Sequence, residues 1–402
     1  LVVLWIAFFL HQGCRQIYNS VIPLIRDDLG LTNVQAGLVS SIFTLIYGLL
    51  VPVAGLVGDR FPRKWLVVLS LLVFSAGTLL TGFSTSLLML VLFISFTTGG
   101  GEAFFYPAAT SLLAQWHERT RALALGILQT GLYFGLTLSS WVAGWIGQQH
   151  GWRSSFLVFG GFGLFWTLVV AWRLRNTPFP KTGNSGGDRV PLGRVFSIVG
   201  RCPTVWFLSL AFGAMVFVNV GYLTWTPAFL HEKFNLTLAQ AGFHALVYHF
   251  AGAFIGVLVG SRVADRVARS YPAVRLWMNF LGLLLGAPFL YLLGRSETAQ
   301  ACYIVLGLFG LFRGFYDSNL FASLYEVIDP RLRASATGLM MAFAFVAGSS
   351  APTLLGWMKT QAGLGVGLSA LSIFYVFGAL CILAALKLCF RRDHMNLRSG
   401  AL

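Results

Sequence analysis

Charge is scarce in this chain. Only 10% of its 402 residues are Asp, Glu, Lys or Arg, against roughly 25% in soluble domains, and 57% are hydrophobic. A soluble globule is excluded and an integral membrane protein implied. Acid is scarcer still, with 13 Asp and Glu against 28 Lys and Arg. The resulting net charge of +15 does not point to nucleic acid, because the basic residues are scattered in short loops with no basic face and interleaved aromatics. Cysteine is sparse as well. Cys14, Cys202, Cys302, Cys381 and Cys389 fall in or beside apolar runs without ligand-like spacing, which argues against a disulfide framework or a zinc site. No clustered nucleophile–base or metal set occurs, so neither an enzyme nor a cofactor is expected. The tails are too short for the soluble output domain of a receptor. The chain starts at Leu1 inside an apolar run. A short cytoplasmic head is therefore expected before it, and Leu1 to Leu10 is not read as a signal peptide.

What is present is long apolar runs. A bilayer span needs ~20 apolar residues at 1.5 Å per residue. Windows of that size predict twelve spans, near 1–24, 36–57, 65–83, 86–114, 122–147, 154–173, 204–230, 243–262, 273–294, 300–325, 335–358 and 366–388. The longest polar stretch, "RLRNTPFPKTGNSGGDRVPLGR", separates the sixth from the seventh. The organisation is thus a six-helix half (1–173), a cytoplasmic linker (174–203), a second six-helix half (204–388) and a cytoplasmic tail (389–402).

Basic residues orient the bundle. Arg60, Arg63 and Lys64, Arg119 and Arg121, the linker, Arg262, Arg266, Arg269 and Arg275, Arg331 and Arg333, and the C-terminal end all lie on one side. The other side holds Arg26, Arg153, Lys233, Arg295 and Lys359. This asymmetry puts both termini in the cytoplasm. Arg15 and Arg313 remain, both mid-span.

Two loop pairs repeat. "GLVGDRFPRK" (55–64) follows the second span, and "SRVADRVAR" (261–269) follows the eighth at matching offsets. "ERTRALALG" (118–126) and "PRLRASATG" (330–338) form the second pair. Repeats in corresponding loops imply two halves related by an axis along the membrane normal.

Gly55, Asp59, Arg60, Arg63 and Lys64, with Asp265, Arg266 and Arg269 in the second copy, resemble the loop signature of the major facilitator superfamily over essentially the whole chain. "CRQIYNSVIPLI" (14–25), "GGGEAFFYPAATSLLAQW" (99–116) and "YLTWTPAFL" (222–230) resemble its anion:cation symporter branch, the sialin-type and hexonate transporters. The resemblance implies an all-α fold of twelve helices in two pseudo-symmetric halves, with Arg15 binding a carboxylate and Glu102 carrying a coupled proton. Cys14 stands where several members of the branch carry an acid, a departure from their two-carboxylate pattern. Asp59 is expected to act as a gate with Gly55, Arg60 and Arg63, capping the start of the eleventh span. Asp265, Arg266 and Arg269 are the second copy of that gate.

The deep charges carry the chemistry. A mid-bilayer charge costs ~2.5–3.5 kcal/mol on insertion scales, so it needs a partner or a watery cavity. Among the acids, Glu102 and Asp317 alone sit deep in spans. His11, Arg15, Tyr18, Asn19 and Ile22 share one helix face by i, i+3, i+4 spacing. The guanidinium fork suits both oxygens of a carboxylate. An ion pair between Arg15 and Glu102 is the structural alternative. His11 either relays protons or bonds a backbone carbonyl. Arg313 and Asp317, one turn apart, form an internal pair, or Asp317 holds Arg313 toward substrate. Gln129, Tyr133, Asn219, Tyr222, Trp225, Tyr248 and His249 are polar or aromatic lining, or helix–helix contacts. Gly99, Gly100 and Gly101 permit close approach or a bend beside Glu102, and Pro107 removes a backbone donor nearby.

The expected protein is a proton-coupled symporter of a small organic anion, an acidic sugar such as a sialate, uronate or aldonate. It would work by alternating access, as a monomer in the plasma membrane, or in the inner membrane of a bacterium. Substrate contacts are expected from Arg15, Tyr18, Asn19, Gln129, Tyr133, Tyr222, Trp225 and Arg313, and proton coupling from Glu102, His11 and Asp317. An anion exchanger for sugar phosphates and an exporter of amphiphiles such as lysolipids remain open.

Overall fold

The computed structural model describes residues 1–58, 61–117, 120–174, 200–268, 270–271, 273–330 and 332–398, with the backbone alone at 55, 56, 58, 121, 122, 334 and 398. Among the described residues twelve helical rods follow in order. They are α1 (Val2–Leu29), α2 (Asn33–Gly58), α3 (Arg63–Thr81) and α4 (Leu87–Trp116), then α5 (Arg121–His150) and α6 (Trp152–Arg173). After the linker come α7 (Pro203–Phe234), α8 (Leu238–Ala268), α9 (Val274–Arg295), α10 (Ala299–Tyr325), α11 (Arg333–Gly348 and Ala351–Ala362) and α12 (Leu364–Leu397).

Eleven of these are apolar and long enough to cross a bilayer by length and composition alone. The exception is α1, although its 28 residues reach ~42 Å at 1.5 Å each. His11, Gln12, Arg15, Gln16 and Asn19 dilute its apolar character, which is what a helix bordering a polar space requires.

Several helices run past their expected ends. The first, expected over 1–24, continues to Leu29. The expected tail from residue 389 is helical as far as Arg398, because α12 passes through a π-turn (Ala385–Cys389) into Phe390–Arg398. The eleventh span, expected as one piece, breaks at Ser349 and Ser350. Pro352 has no N–H to donate to the carbonyl four residues earlier, so the ladder loses a rung at the break. Its own carbonyl accepts the Trp225 indole N–H at 2.9 Å.

The chain forms two compact units. Unit 1 comprises Leu1–Lys181, Tyr222–Leu246 and Ser349–Gln361; unit 2 comprises Thr182–Gly221, Val247–Gly348 and Ala362–Leu402. The expected division at the linker differs, since pieces of α7, α8 and α11 group with the first six helices. Backbone contact explains the grouping for α11. A Cβ on Gly37 would lie 2.3 Å from the Pro352 carbonyl oxygen, and one on Gly356 would lie 2.3 Å from that of Asn33. Only glycine permits helices to touch this closely. Thr353 adds bonds from its N–H (3.2 Å) and hydroxyl (2.7 Å) to the Ser41 hydroxyl.

The same end of unit 1 carries a charged cluster. Glu232 accepts from Lys359 Nζ at 2.5 Å and from Arg26 Nη1 at 3.4 Å, and Arg26 also donates to Asn33 at 3.1 Å. The interior of the unit is apolar, with Leu4, Phe8, Phe74, Phe105, Leu112 and Leu128 in one buried cluster.

In unit 2 the helical tail is docked. Asp393, 3% exposed, accepts from the Thr204 N–H (3.0 Å), the Thr204 hydroxyl (2.7 Å) and the Cys202 thiol (3.3 Å). It thus caps the otherwise unsatisfied first turn of α7 from a remote position. His394 bonds the Glu326 carbonyl at 2.8 Å.

Of the expected gate residues, Asp59, Arg60 and Arg269 lie outside the described residues, and Gly55 is described by its backbone in α2. Arg63 opens α3. Asp265 pairs with Arg275 of α9 at 3.2 Å, and Arg266 is exposed.

Candidate functional site

Glu102 lies one helical turn beyond a backbone irregularity. Residues Val91–Thr98 of α4 wind as a π-helix, and regular α-helix resumes at Gly99. Thr97 and Thr98 stabilise the widened turn by donating to carbonyls five residues back, Leu92 (3.0 Å) and Phe93 (2.9 Å). Such bulges cost stability and recur at functional sites. The glycines then serve different ends. A Cβ on Gly101 would lie 2.7 Å from the Phe74 backbone nitrogen. Its absence lets α4 press on α3, where Ser70 donates to the Gly101 carbonyl at 2.5 Å. Gly100 faces nothing nearer than a Leu50 methyl at 3.8 Å.

The result is a buried carboxylate. Glu102 is 0% exposed, and neither side-chain oxygen has a hydrogen-bond partner among the described residues. Phe8, Phe74 and Phe105 surround the neighbouring His11. An ionised carboxylate in this position is uncompensated locally, and binding a proton removes the cost.

Arg15 supplies the opposite charge without closing an ion pair. Its charge acts on Glu102, yet among the described residues no carboxylate lies within ion-pair distance of it. The guanidinium carbon instead sits over two parallel rings of α2, 5.1 Å from the Phe43 centroid and 5.2 Å from that of Tyr47. Those rings are stacked at 6.5 Å with 5° between their planes. A planar cation on aromatic faces keeps its N–H edges directed outward for an anion. Sequence reasoning did not reach Phe43 and Tyr47. Their i, i+4 spacing puts them on one face of α2, but in an apolar run the same spacing serves ordinary packing.

His11 makes the backbone-carbonyl bond that is one of the two roles left open for it. Its Nε2 is 3.0 Å from the Glu102 carbonyl oxygen and its Nδ1 is 3.1 Å from the Gln12 amide nitrogen. The carbonyl can only accept and the amide N–H only donate, so the ring is neutral with its proton on Nε2. It braces α1 against α4.

The remaining expected contacts divide. Tyr18 is buried and donates to the Ala36 carbonyl at 2.8 Å. Asn19 bonds Gln16 at 3.1 Å and Ser40 at 3.3 Å. Tyr222 donates to Ala245 at 2.7 Å, Trp225 donates to Pro352, and both side chains are 0% exposed. Their polar ends join helix to helix. Gln129 and Tyr133 are half-buried on α5.

Unit 2 holds its own pair. Arg313 Nε meets Asp317 Oδ2 at 3.1 Å across one turn of α10, with the arginine side chain 12% exposed and the aspartate 35%. Arg313 also donates to the Asn219 side-chain oxygen on α7. His249 is buried against Phe309, and Tyr248 stacks on Tyr303 at 4.8 Å. Among the described residues no group of His, Cys, Asp and Glu could hold a metal ion.

The chain is similar to known transporters along nearly its full length. It is 30% identical over 383 residues to the probable sulfoacetate transporter SauU of Cupriavidus necator, covering 90% of this chain and 87% of that one. It is 25% identical to the hexuronate transporter of Bacillus subtilis, covering 95% and 92%. In fold it is similar to the crystal structure of a bacterial homologue of the human lysosomal transporter Spinster. The TM-score is 0.86 at 20% identity, over 98% of this chain and 97% of that one. The Major Facilitator Superfamily profile matches residues 4–352. This chain therefore belongs to the Major Facilitator Superfamily, as a multi-pass membrane transporter of twelve helices in two pseudo-symmetric halves and not an enzyme.

Proposed function

We propose that this protein is a proton-coupled symporter of a small organic anion, an acidic sugar, working by alternating access. The observation that carries this reading is the pair of unclosed charges in unit 1. Among the described residues Arg15 lies on two aromatic faces without an ion-pair partner, and Glu102 is buried with neither oxygen bonded. While the site is empty, each offsets the other at a distance. An incoming carboxylate takes the guanidinium, because direct contact outweighs the longer-range attraction. Glu102 then loses its counter-charge and takes a proton, so anion and proton bind together and by reciprocity each tightens the other. The relatives' printed substrates, sulfoacetate and hexuronate, are both small organic anions.

Gln129 and Tyr133 with Asn19 are assigned to the sugar hydroxyls. Tyr18, Tyr222 and Trp225 are assigned to the frame that keeps helices in register. The Lys/Arg asymmetry puts the linker and both termini in the cytoplasm, so the Arg26–Glu232–Lys359 cluster faces outward. Asp59 is assigned to the cytoplasmic gate. The membrane is the plasma membrane, or the inner membrane of a bacterium.

The test is Glu102→Gln in proteoliposomes. The amide imitates the protonated acid permanently, so the variant should exchange labelled for unlabelled D-glucuronate with little dependence on pH. It should fail to accumulate the anion against its gradient. Proton-driven accumulation retained by Glu102→Gln would move the proton elsewhere and remove this mechanism.

A further inference from the structure

The deep charges of unit 1 are few enough to balance state by state. Among the described side chains its membrane-embedded charges are Arg15 and Glu102. Arg26, Asp27, Asp28, Arg63, Lys64, Arg153, Arg173, Glu232, Lys233 and Lys359 lie at helix ends. The groups facing Glu102 are known from each neighbouring helix. On α1 they are His11, neutral with both nitrogens bonded, Cys14 and Arg15. On α2 there is Tyr47, which in turn interacts with Tyr106 of α4. The span of α3 offers serine and threonine and no charge, and Tyr133 is the titratable group midway along α5. In unit 2 the deep charges cancel within Arg313 and Asp317.

Resting on the reading of Arg15 and Glu102 given above, we infer that each turnover carries one proton with one singly charged anion, moving no net charge. The structure points to a monovalent sugar acid as substrate class. In the empty state Arg15 is positive and Glu102 negative, which sums to zero. With anion and proton both bound, Arg15 and the anion cancel and Glu102 is neutral, which again sums to zero. Anion alone leaves one buried negative charge, and proton alone leaves one positive. Unpaired charge is costly in a low-dielectric interior, so the two neutral states are the ones that reorient. This same cost is what couples the fluxes. A dianion brings a second negative charge, and among its described residues unit 1 has no second deep carboxylate to take a second proton.

Wild-type protein in proteoliposomes tests this with D-glucuronate and two dianionic probes, glucarate and sulfoacetate. A pH difference at zero potential should accumulate glucuronate roughly tenfold per pH unit, the limit set by one coupled proton. A potassium diffusion potential at equal pH should leave glucuronate uptake unchanged, and glucuronate should be taken up faster than either dianion. The inference is overturned by potential-driven accumulation at equal pH, by a limit approaching roughly hundredfold per pH unit, or by preference for a dianion. If uptake of all three probes ignores pH, or none is taken up, the symport reading itself fails and takes this inference with it.

Discussion

Replacing Arg15 by lysine keeps the charge and removes the shape, so it isolates what the guanidinium contributes. In the native protein Arg15 rests 5.1 and 5.2 Å from the centroids of Phe43 and Tyr47. Contacts of this kind are worth ~0.5–2 kcal/mol according to exposure, and they hold the planar fork edge-on. A lysine ammonium is smaller, has no fork and can satisfy one carboxylate oxygen well and the second poorly. Losing one of two charge-assisted bonds, each worth about 1.5–3 kcal/mol, with partial recovery by the ammonium gives a net loss of ~1–3 kcal/mol. At 1.4 kcal/mol per tenfold, D-glucuronate should bind roughly 5- to 150-fold more weakly. Isothermal titration of purified protein measures this directly, with thermal unfolding of the unliganded variant as the control for folding. Affinity in Arg15→Lys within about twofold of wild type would remove Arg15 from the binding role.

The pair on α10 makes an asymmetric prediction. Asp317→Ala removes the counter-charge of Arg313, 12% exposed, whereas Arg313→Ala removes that of Asp317, 35% exposed, so the aspartate variant should be the less stable. The double alanine variant should recover much of the loss, because a lone buried charge is worse than none. Equal instability of all three in thermal unfolding would contradict the pairing. Glu232→Gln should loosen its end of unit 1 by leaving Lys359 and Arg26 without their shared counter-charge. A Thr353→Cys reporter should then react faster with an impermeant maleimide, and an unchanged rate would show the cluster to be incidental. Asp59→Asn should slow transport while leaving the equilibrium affinity for D-glucuronate intact, and lost affinity in a well-folded variant would contradict a gate.

The spans and the deep charges were legible because lipid imposes a length and makes each embedded charge conspicuous. The repeat was legible because its loops keep charged residues at equal offsets. The direction in which each helix faces was not. In a soluble protein an apolar stripe marks the core, but here Leu168, Trp172 and Ile304 are 70%, 77% and 65% exposed and are chemically like the residues buried behind them. Hence Trp225 and Tyr222 read as lining from sequence, although their polar ends bond backbone carbonyls. The π-turn before Glu102 has no residue signature apart from the two threonines that back-bond it. The break in α11 has a sequence correlate in Pro352, whose missing donor falls one turn after Gly348.

The seam formed by Gly37 with Pro352 and Gly356 with Asn33 has a property that interlocked side chains lack. Knobs set in holes must change rotamer or leave voids when two helices part, and each step adds resistance. Backbone laid on backbone has nothing to unhook. Its carbonyls pass from packing contacts to water as soon as a gap opens, and the surfaces regain contact without a search through side-chain conformations. The cohesion of that end therefore rests on a few polar contacts at its rim and on the hydroxyls of Ser41 and Thr353. A hydrogen bond to water can replace each of these in turn, so the seam is suited to repeated opening and closing.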